Sequence, residues 1–210
     1  MAAMIRIAKA ISAVAAALLV GCAHPISITP DTTRLAIGQD PKQRIEAKAA
    51  YQVSDSDLSL EVTTPGGGGD AVRYFAYRDM DAGLEQMLGT VFTHVSRSSD
   101  AQRAATGTDY VIVPVIVTNS GSDGLFTWPP SNFTVDLTLT IRRPSGEIIA
   151  SPRVVGHGNA ADGERIFDHG IAGRRATEDA LIKMKDQLHG LNLSKRGLQS
   201  SGVPELSPLN

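Results

Sequence analysis

Three groups of residues in this chain are of types that could do chemistry. The first is Cys22, the single cysteine among 210 residues. A lone thiol can act as a nucleophile or accept a covalent group, and it cannot form an intramolecular disulfide. The second is the run Pro65-Gly66-Gly67-Gly68-Gly69-Asp70, whose four consecutive glycines have the composition of a loop that could cradle phosphate. The third comprises five histidines, 24, 94, 157, 169 and 189, with Asp162, Glu164 and Asp168 close in sequence to His169.

The glycine run fails the phosphate test on its flanks. A Walker-type loop needs Lys-Ser or Lys-Thr after its last glycine, to meet phosphate charge and hold magnesium. Here Asp70 and Ala71 follow, placing a negative charge where the cation belongs. A dinucleotide fingerprint needs spaced glycines opening into a helix, whereas Val72-Arg73-Tyr74-Phe75 reads as strand. The run is expected to be a connection between strands, its glycines permitting positive φ. The histidines do not fall at metal-ligand spacings, and no G-x-S-x-G elbow or second cysteine offers a hydrolytic nucleophile. The expectation is therefore a protein without catalytic residues, metal or cofactor.

Cys22 has a different context. Arg6 and Lys9 form a short positive segment, and Ala10–Val20 is an uncharged, mostly apolar run of eleven residues broken only by Ser12. That length suits the apolar region of a signal peptide and falls short of the ~20 residues of a membrane-spanning helix. The run ends in Leu19-Val20-Gly21-Cys22, which resembles the lipobox of bacterial lipoproteins. The resemblance implies cleavage between Gly21 and Cys22, and a thioether-linked diacylglycerol on the Cys22 thiol. Each buried acyl methylene contributes ~0.8 kcal/mol, so one chain anchors marginally and the three of such lipoproteins anchor firmly. Ala23 rather than aspartate follows the cysteine, which by the same resemblance favours the outer membrane over the inner one, with the protein facing the periplasm.

The mature chain would carry 22 acidic residues against 18 basic ones, a net charge of about −4 with neutral histidines. Its largest basic clusters are the pairs Arg142-Arg143 and Arg174-Arg175, so no nucleic-acid footprint is present. The organisation expected is a signal peptide over 1–21, a lipidated N-terminus and flexible tether over 22–43, one domain over 44–193, and a disordered tail over 194–210. Prolines and weak periodicity suggest the tether, and mixed Ser, Gly and Pro the tail.

Within the domain, alternation of Ile45, Ala47, Ala49, Tyr51 and Val53 predicts a strand, as does that of Leu58, Leu60 and Val62. Met80, Leu84, Met87, Leu88, Val91 and Val95 recur at spacings of three and four and predict a helix over 80–96, with Asp79 or Asp81 as cap. The apolar run 109–118 reads as a strand covered on both faces, with Pro114 placing it at an edge or bulge. Strict alternation over 133–143, the turn Pro144-Ser145-Gly146 and a return over 147–155 predict a hairpin. Ala176, Ala180, Leu181, Met184 and Leu188 predict a closing helix over 171–190. The fold class expected is α+β, an antiparallel sheet with two helices packed on one face as a two-layer sandwich. The order of elements over roughly 58–190 resembles that of YajG-like lipoproteins and, more distantly, the lipopolysaccharide-assembly lipoprotein LptE. The stretches TPGGGGD and FTWPPSNFTVDL resemble uncharacterised proteobacterial lipoproteins.

The strongest interaction candidate is the long connection 119–132, which holds Leu125, Phe126, the only tryptophan Trp128, and Pro129. Aromatic side chains bury large area at small rotamer cost, so they anchor interfaces. The same residues could instead fold back and complete the core. These features point to a non-catalytic lipid-anchored protein that meets the membrane through its acyl chains and binds a protein or envelope partner. A small-ligand or lipid-binding module is the alternative, and an enzyme comes third. The oligomeric state is not readable from the sequence.

Overall fold

In the computed structural model, residues 23–36, 44–122, 128–191 and 193 are described. Residues 1–22, which include the expected signal peptide with Gly21 and Cys22, Leu125, Phe126 and the expected tail over 194–210 lie outside those residues. The described chain is a mixed α+β fold with two sheets. Strands β1 (Ala23–Pro25), β3 (Val62–Gly67) and β4 (Asp70–Tyr74) form a three-stranded sheet in the order β1-β4-β3. A six-stranded sheet is built from β2 (Ile45–Gln52), β5 (Phe92–Ser98), β6 (Tyr110–Gly121), β7 (Asn132–Arg142), β8 (Ile148–Ala150) and β9 (Arg153–Asn159). Its order is β5-β2-β6-β7, and β8 and β9 both pair with β7. The helices are α1 (Thr32–Leu35), α2 (Asp55–Ser59), α3 (Ala76–Val91), α4 (Ala101–Ala105), α5 (Asp162–Phe167) and α6 (Ile171–Gly190).

The large sheet is mixed rather than antiparallel. β5 and β6 both run parallel to β2, and the pairings of β7 with β6, β8 and β9 are antiparallel. The parallel half arises because α3 stops at Val91 and residues 92–98 become β5, with Val95 beside Ala49. The expected helix over 80–96 therefore starts earlier and ends earlier, since β-branched and aromatic residues fit a pleated, half-buried surface better than a helix. Leu58 lies on α2 rather than a strand, because Ser54 and Asp57 form a reciprocal capping box that starts a helical turn. The return of the predicted hairpin breaks at Ser151-Pro152 into β8 and β9 and continues to Asn159. Pro114 sits where β6 has passed the end of its β2 pairing, so no ladder bond is lost there.

The two long helices share one sheet face, with Met80, Leu84, Met87 and Leu88 of α3 and Ala176, Ala180, Leu181 and Met184 of α6 buried in the main core. The two-layer expectation differs from the structure on the second face, where Ala104 of α4 packs on Ala50 and Val111. Those two residues alternate with Ala49 and Ile112 of the main core, as successive strand residues must.

α6 lies close enough to β9 to exclude side chains. A Cβ on Gly158 would stand 2.0 Å from the Ala172 carbonyl oxygen, and one on Gly156 would stand 2.2 Å from that of Ala176. The same helix covers the outer edge of β9. Arg175 donates to the Asn159 carbonyl (2.7 Å), Lys183 to that of Val155 (2.9 Å) and Gln187 to that of Arg153 (3.4 Å). Asp179 accepts from the His157 N–H at 2.8 Å. Four helical residues rise about 6 Å and two strand residues about 6.7 Å, so side chains at i, i+4, i+8 and i+12 track alternate strand residues. An edge that could pair with another chain is thereby closed.

The segment expected as a tether is part of the fold over residues 23–36. β1 pairs in parallel with β4, Ala23 beside Ala71 and Pro25 beside Arg73, and the Ile26 N–H continues the ladder to the Arg73 carbonyl. Beyond it, a strap crosses both long helices over glycines. A Cβ on Gly173 would stand 2.3 Å from Ile28 Cγ2, one on Gly83 2.8 Å from Pro30 Cγ, and one on Gly170 2.2 Å from the Ser27 carbonyl oxygen. Ile28, Pro30 and Leu35 are buried. Glu178 of α6 accepts from the Asp31 N–H and pairs with Arg34 at 2.9 Å.

Asp79, predicted as a helix cap, instead lies buried in the first turn of α3, and its Oδ2 accepts from the Ile28 N–H at 3.0 Å. Burial raises its carboxyl above the usual aspartate range, against the opposing effects of the Ile28 N–H and the nearby Arg78. The folded state then holds the proton more tightly than the unfolded chain. The group's contribution to stability falls as pH rises from the ordinary value of 3.8 through the folded value. Asp79→Asn keeps an oxygen for Ile28 and removes that titration, so at neutral pH it should be at least as stable as the parent. Its advantage should vanish below pH 3.8. Asp79→Ala should cost about 1–3 kcal/mol, the penalty of an orphaned buried N–H. Chemical denaturation of the two variants at both pH values checks this.

Candidate functional site

The glycine run, the Trp128 turn, the start of the strap and the α5–α6 connection converge at one end of the molecule. The run closes the β3–β4 hairpin, with Gly67, Gly68 and Gly69 at φ of 97°, 61° and 93°. These three provide the left-handed backbone of the turn, as expected from the sequence. Gly66 has another reason to be glycine: a Cβ there would meet Trp128 Cζ3 at 2.9 Å.

Trp128 is half-buried and packs against the edge of the core. Its ring lies 4.1 Å from that of His24, tilted by 33°, and 5.4 Å edge-on from that of His169. Two imidazoles and a glycine backbone thus line the indole. Pro129 is buried, and its carbonyl accepts from Arg165 Nη1 at 2.8 Å and from the Ser122 hydroxyl at 3.2 Å. Ser122 also lies 3.3 Å from the Gly66 carbonyl, tying the turn to the hairpin. Of the four interaction candidates read from sequence, Trp128 and Pro129 are thus built into this end of the domain, and Leu125 and Phe126 are not described.

The carboxylates near His169 are held by arginines. Asp162 pairs with Arg165, Asp168 with Arg174, and Glu164 with Arg175 at 2.6 Å. Arg175 donates to both Glu164 oxygens, and with the Ala161 N–H this lowers the Glu164 carboxyl to about 2. Such pairs fix the α5–α6 connection to its surroundings rather than poise an acid or base. His24 lies 3.9 Å from Asp70 across β1 and β4. Among the described residues no group of three or more metal-ligating side chains occurs, and no helix is long and apolar enough to cross a membrane.

A network of hydroxyls beneath the site joins the two sheets. Thr64 meets Ser120 at 2.6 Å, Ser120 donates to the Pro65 carbonyl at 2.6 Å, and Tyr74 donates to Thr118 at 2.6 Å. Tyr74 also meets the Thr64 hydroxyl at 3.3 Å, and burial raises its phenol despite the Thr118 and Thr64 partners. The aromatic cluster therefore rests on a hydrogen-bonded floor.

Two exposed apolar groups were not singled out in the sequence. Ile166 and Phe167 of α5 are 63% and 92% exposed. Val115 and Val117 of β6 and Val155 of β9 stand exposed on the sheet face away from α3 and α6, beside Asp136 and Arg153. The run 109–118 is thus covered on both faces only in its first half. Ile-Phe inside the charged stretch GERIFDHG was the available signal for the first group.

The sequence matches no protein-family model, and no curated protein matches it. Among solved structures, the chain is similar to a Xanthomonas campestris protein described by the family model DUF330, at 16% identity and a TM-score of 0.46. That alignment covers 87% of this chain and 99% of the other. A candidate lipoprotein from Caulobacter crescentus aligns at 14% identity and a TM-score of 0.35, over 67% of this chain and 88% of its own. Similarity at these levels assigns neither family nor function.

If Gly66 is glycine because the indole occupies its Cβ position, Gly66→Ala should displace Trp128. Trp128 is the only tryptophan, so its emission reports the site alone. The expected result is a red shift with about 1–3 kcal/mol of lost stability, the usual cost of overpacking. Unchanged emission and stability would show that the ring does not rest there.

Proposed function

We propose that this protein is a non-catalytic bacterial lipoprotein, acylated at Cys22, held in the outer membrane and facing the periplasm, whose domain binds a protein or other envelope partner. One observation carries the anchoring: a basic segment, an eleven-residue apolar run and Leu19-Val20-Gly21-Cys22 follow one another at the N-terminus. The β1 strand begins at the next residue, Ala23. The partner role draws support from the uncovered half of the sheet, where Val115, Val117 and Val155 stand among polar residues. Apolar side chains ringed by polar ones are the composition of an interaction surface. A small ligand held between sheet and helices would have to displace Met80, Leu84, Phe133, Leu137 and Met184, all of which are buried there.

Cys22→Ser tests the anchor, because a hydroxyl does not replace the thiol as acyl acceptor. Cells given a fatty-acid analogue should label the parent protein and leave the variant unlabelled as uncleaved precursor. Equal label in both would remove the lipoprotein assignment and the localisation that depends on it.

A further inference from the structure

The geometry points to Ile166 and Phe167 as a second membrane contact, a side-chain pair that enters the surface of the same bilayer that holds the acyl chains. The inference rests on acylation of Cys22 and adds to it the orientation of the domain. If Cys22 carries the lipid, no tether separates it from the fold, since Ala23 is already paired beside Ala71. One residue spans at most about 3.6 Å, so the lipid-bearing sulfur leaves directly from the β1 end of the domain. That end must then stand at the headgroups.

Ile166 and Phe167 belong to the same end. The His24 ring touches Trp128, Trp128 touches His169, and Phe167 is two residues before His169. Two ring contacts and two residues place Phe167 within about 20 Å of His24, less than half the width of a bilayer with its headgroups. The pair is also firmly presented. Arg165 of the same short helix is buried against the Pro129 carbonyl, which turns the next two residues outward, and Asp168 is paired with Arg174. An aromatic and a branched aliphatic side chain, 92% and 63% exposed on a fixed base, match interfacial insertion to a depth of roughly 5–10 Å. The opposite end of β7, with the turn at Ser145-Gly146, stands about 34 Å away along the strand and would face the periplasm.

The test uses the acylated full-length protein in vesicles of phosphatidylethanolamine and phosphatidylglycerol, some carrying brominated acyl chains. The one native thiol is consumed by lipid, so Ile166→Cys or Ser145→Cys introduces a unique site for an environment-sensitive fluorophore. Phe167 is retained in the first variant. The expected result is quenching by brominated lipid at position 166 at least about twofold above that at 145. Adding Phe167→Asp should bring the two to the same level. Equal, weak quenching at both positions in vesicles that retain the acylated protein would overturn the contact and leave the lipoprotein reading standing. A label at 166 shielded from aqueous iodide yet unquenched by lipid would mean that a protein covers the pair, which also overturns it. Absence of acyl label from the same preparation would defeat the lipoprotein reading itself, and the contact with it.

Discussion

The fold depends on how the segment 23–36 is fastened. Its backbone enters the small sheet through β1, then crosses α3 and α6 where three glycines leave room for it. At the crossing, the Ile28 N–H meets the buried Asp79 carboxylate and the Ile28 side chain fills the space over Gly173. Without Asp79 that N–H would be buried unpaired; without Ile28 the carboxylate would face an apolar gap. Each is tolerable because of the other. The strap in turn touches both long helices, so the packing of the helices and the position of residues 23–36 are one constraint.

From that constraint the candidate site follows. β1 brings His24 against Trp128, and Trp128 closes over Gly66 and against His169. Elements distant in sequence, the glycine hairpin, the Trp-Pro turn and the α5–α6 connection, share one end because the strap begins there. Arginines 165, 174 and 175 take up the local carboxylates. What that end offers outward, among the described residues, is the exposed apolar pair Ile166 and Phe167.

Much of this was legible in the sequence. Alternation at Phe133, Val135, Leu137, Leu139 and Ile141 specified β7, and the alanine-rich stripe specified α6, because burial on one face imposes a period. The positive φ of Gly67–Gly69 could be read from composition. The parallel half of the sheet could not, since Val95 fits a helical stripe and a strand equally well, and only its neighbour Ala49 decides. The docking of 23–36 was hidden for a related reason. Its buried residues, Ile28, Pro30 and Leu35, follow no regular period, and the glycines that receive Pro30 and Ile28 lie 53 and 145 residues away. Ile166 and Phe167 were visible as apolar residues, but only their exposure gives them meaning.

Amide hydrogen exchange at Ile28 tests the docking of residues 23–36 most directly. A strap that opens only when the core does should exchange as slowly as Leu137 in the centre of β7, at least about 10³-fold slower than free chain, corresponding to roughly 4 kcal/mol. Exchange at Ile28 near the free-chain rate, with Leu137 still protected, would contradict this account and return residues 23–36 to a tether.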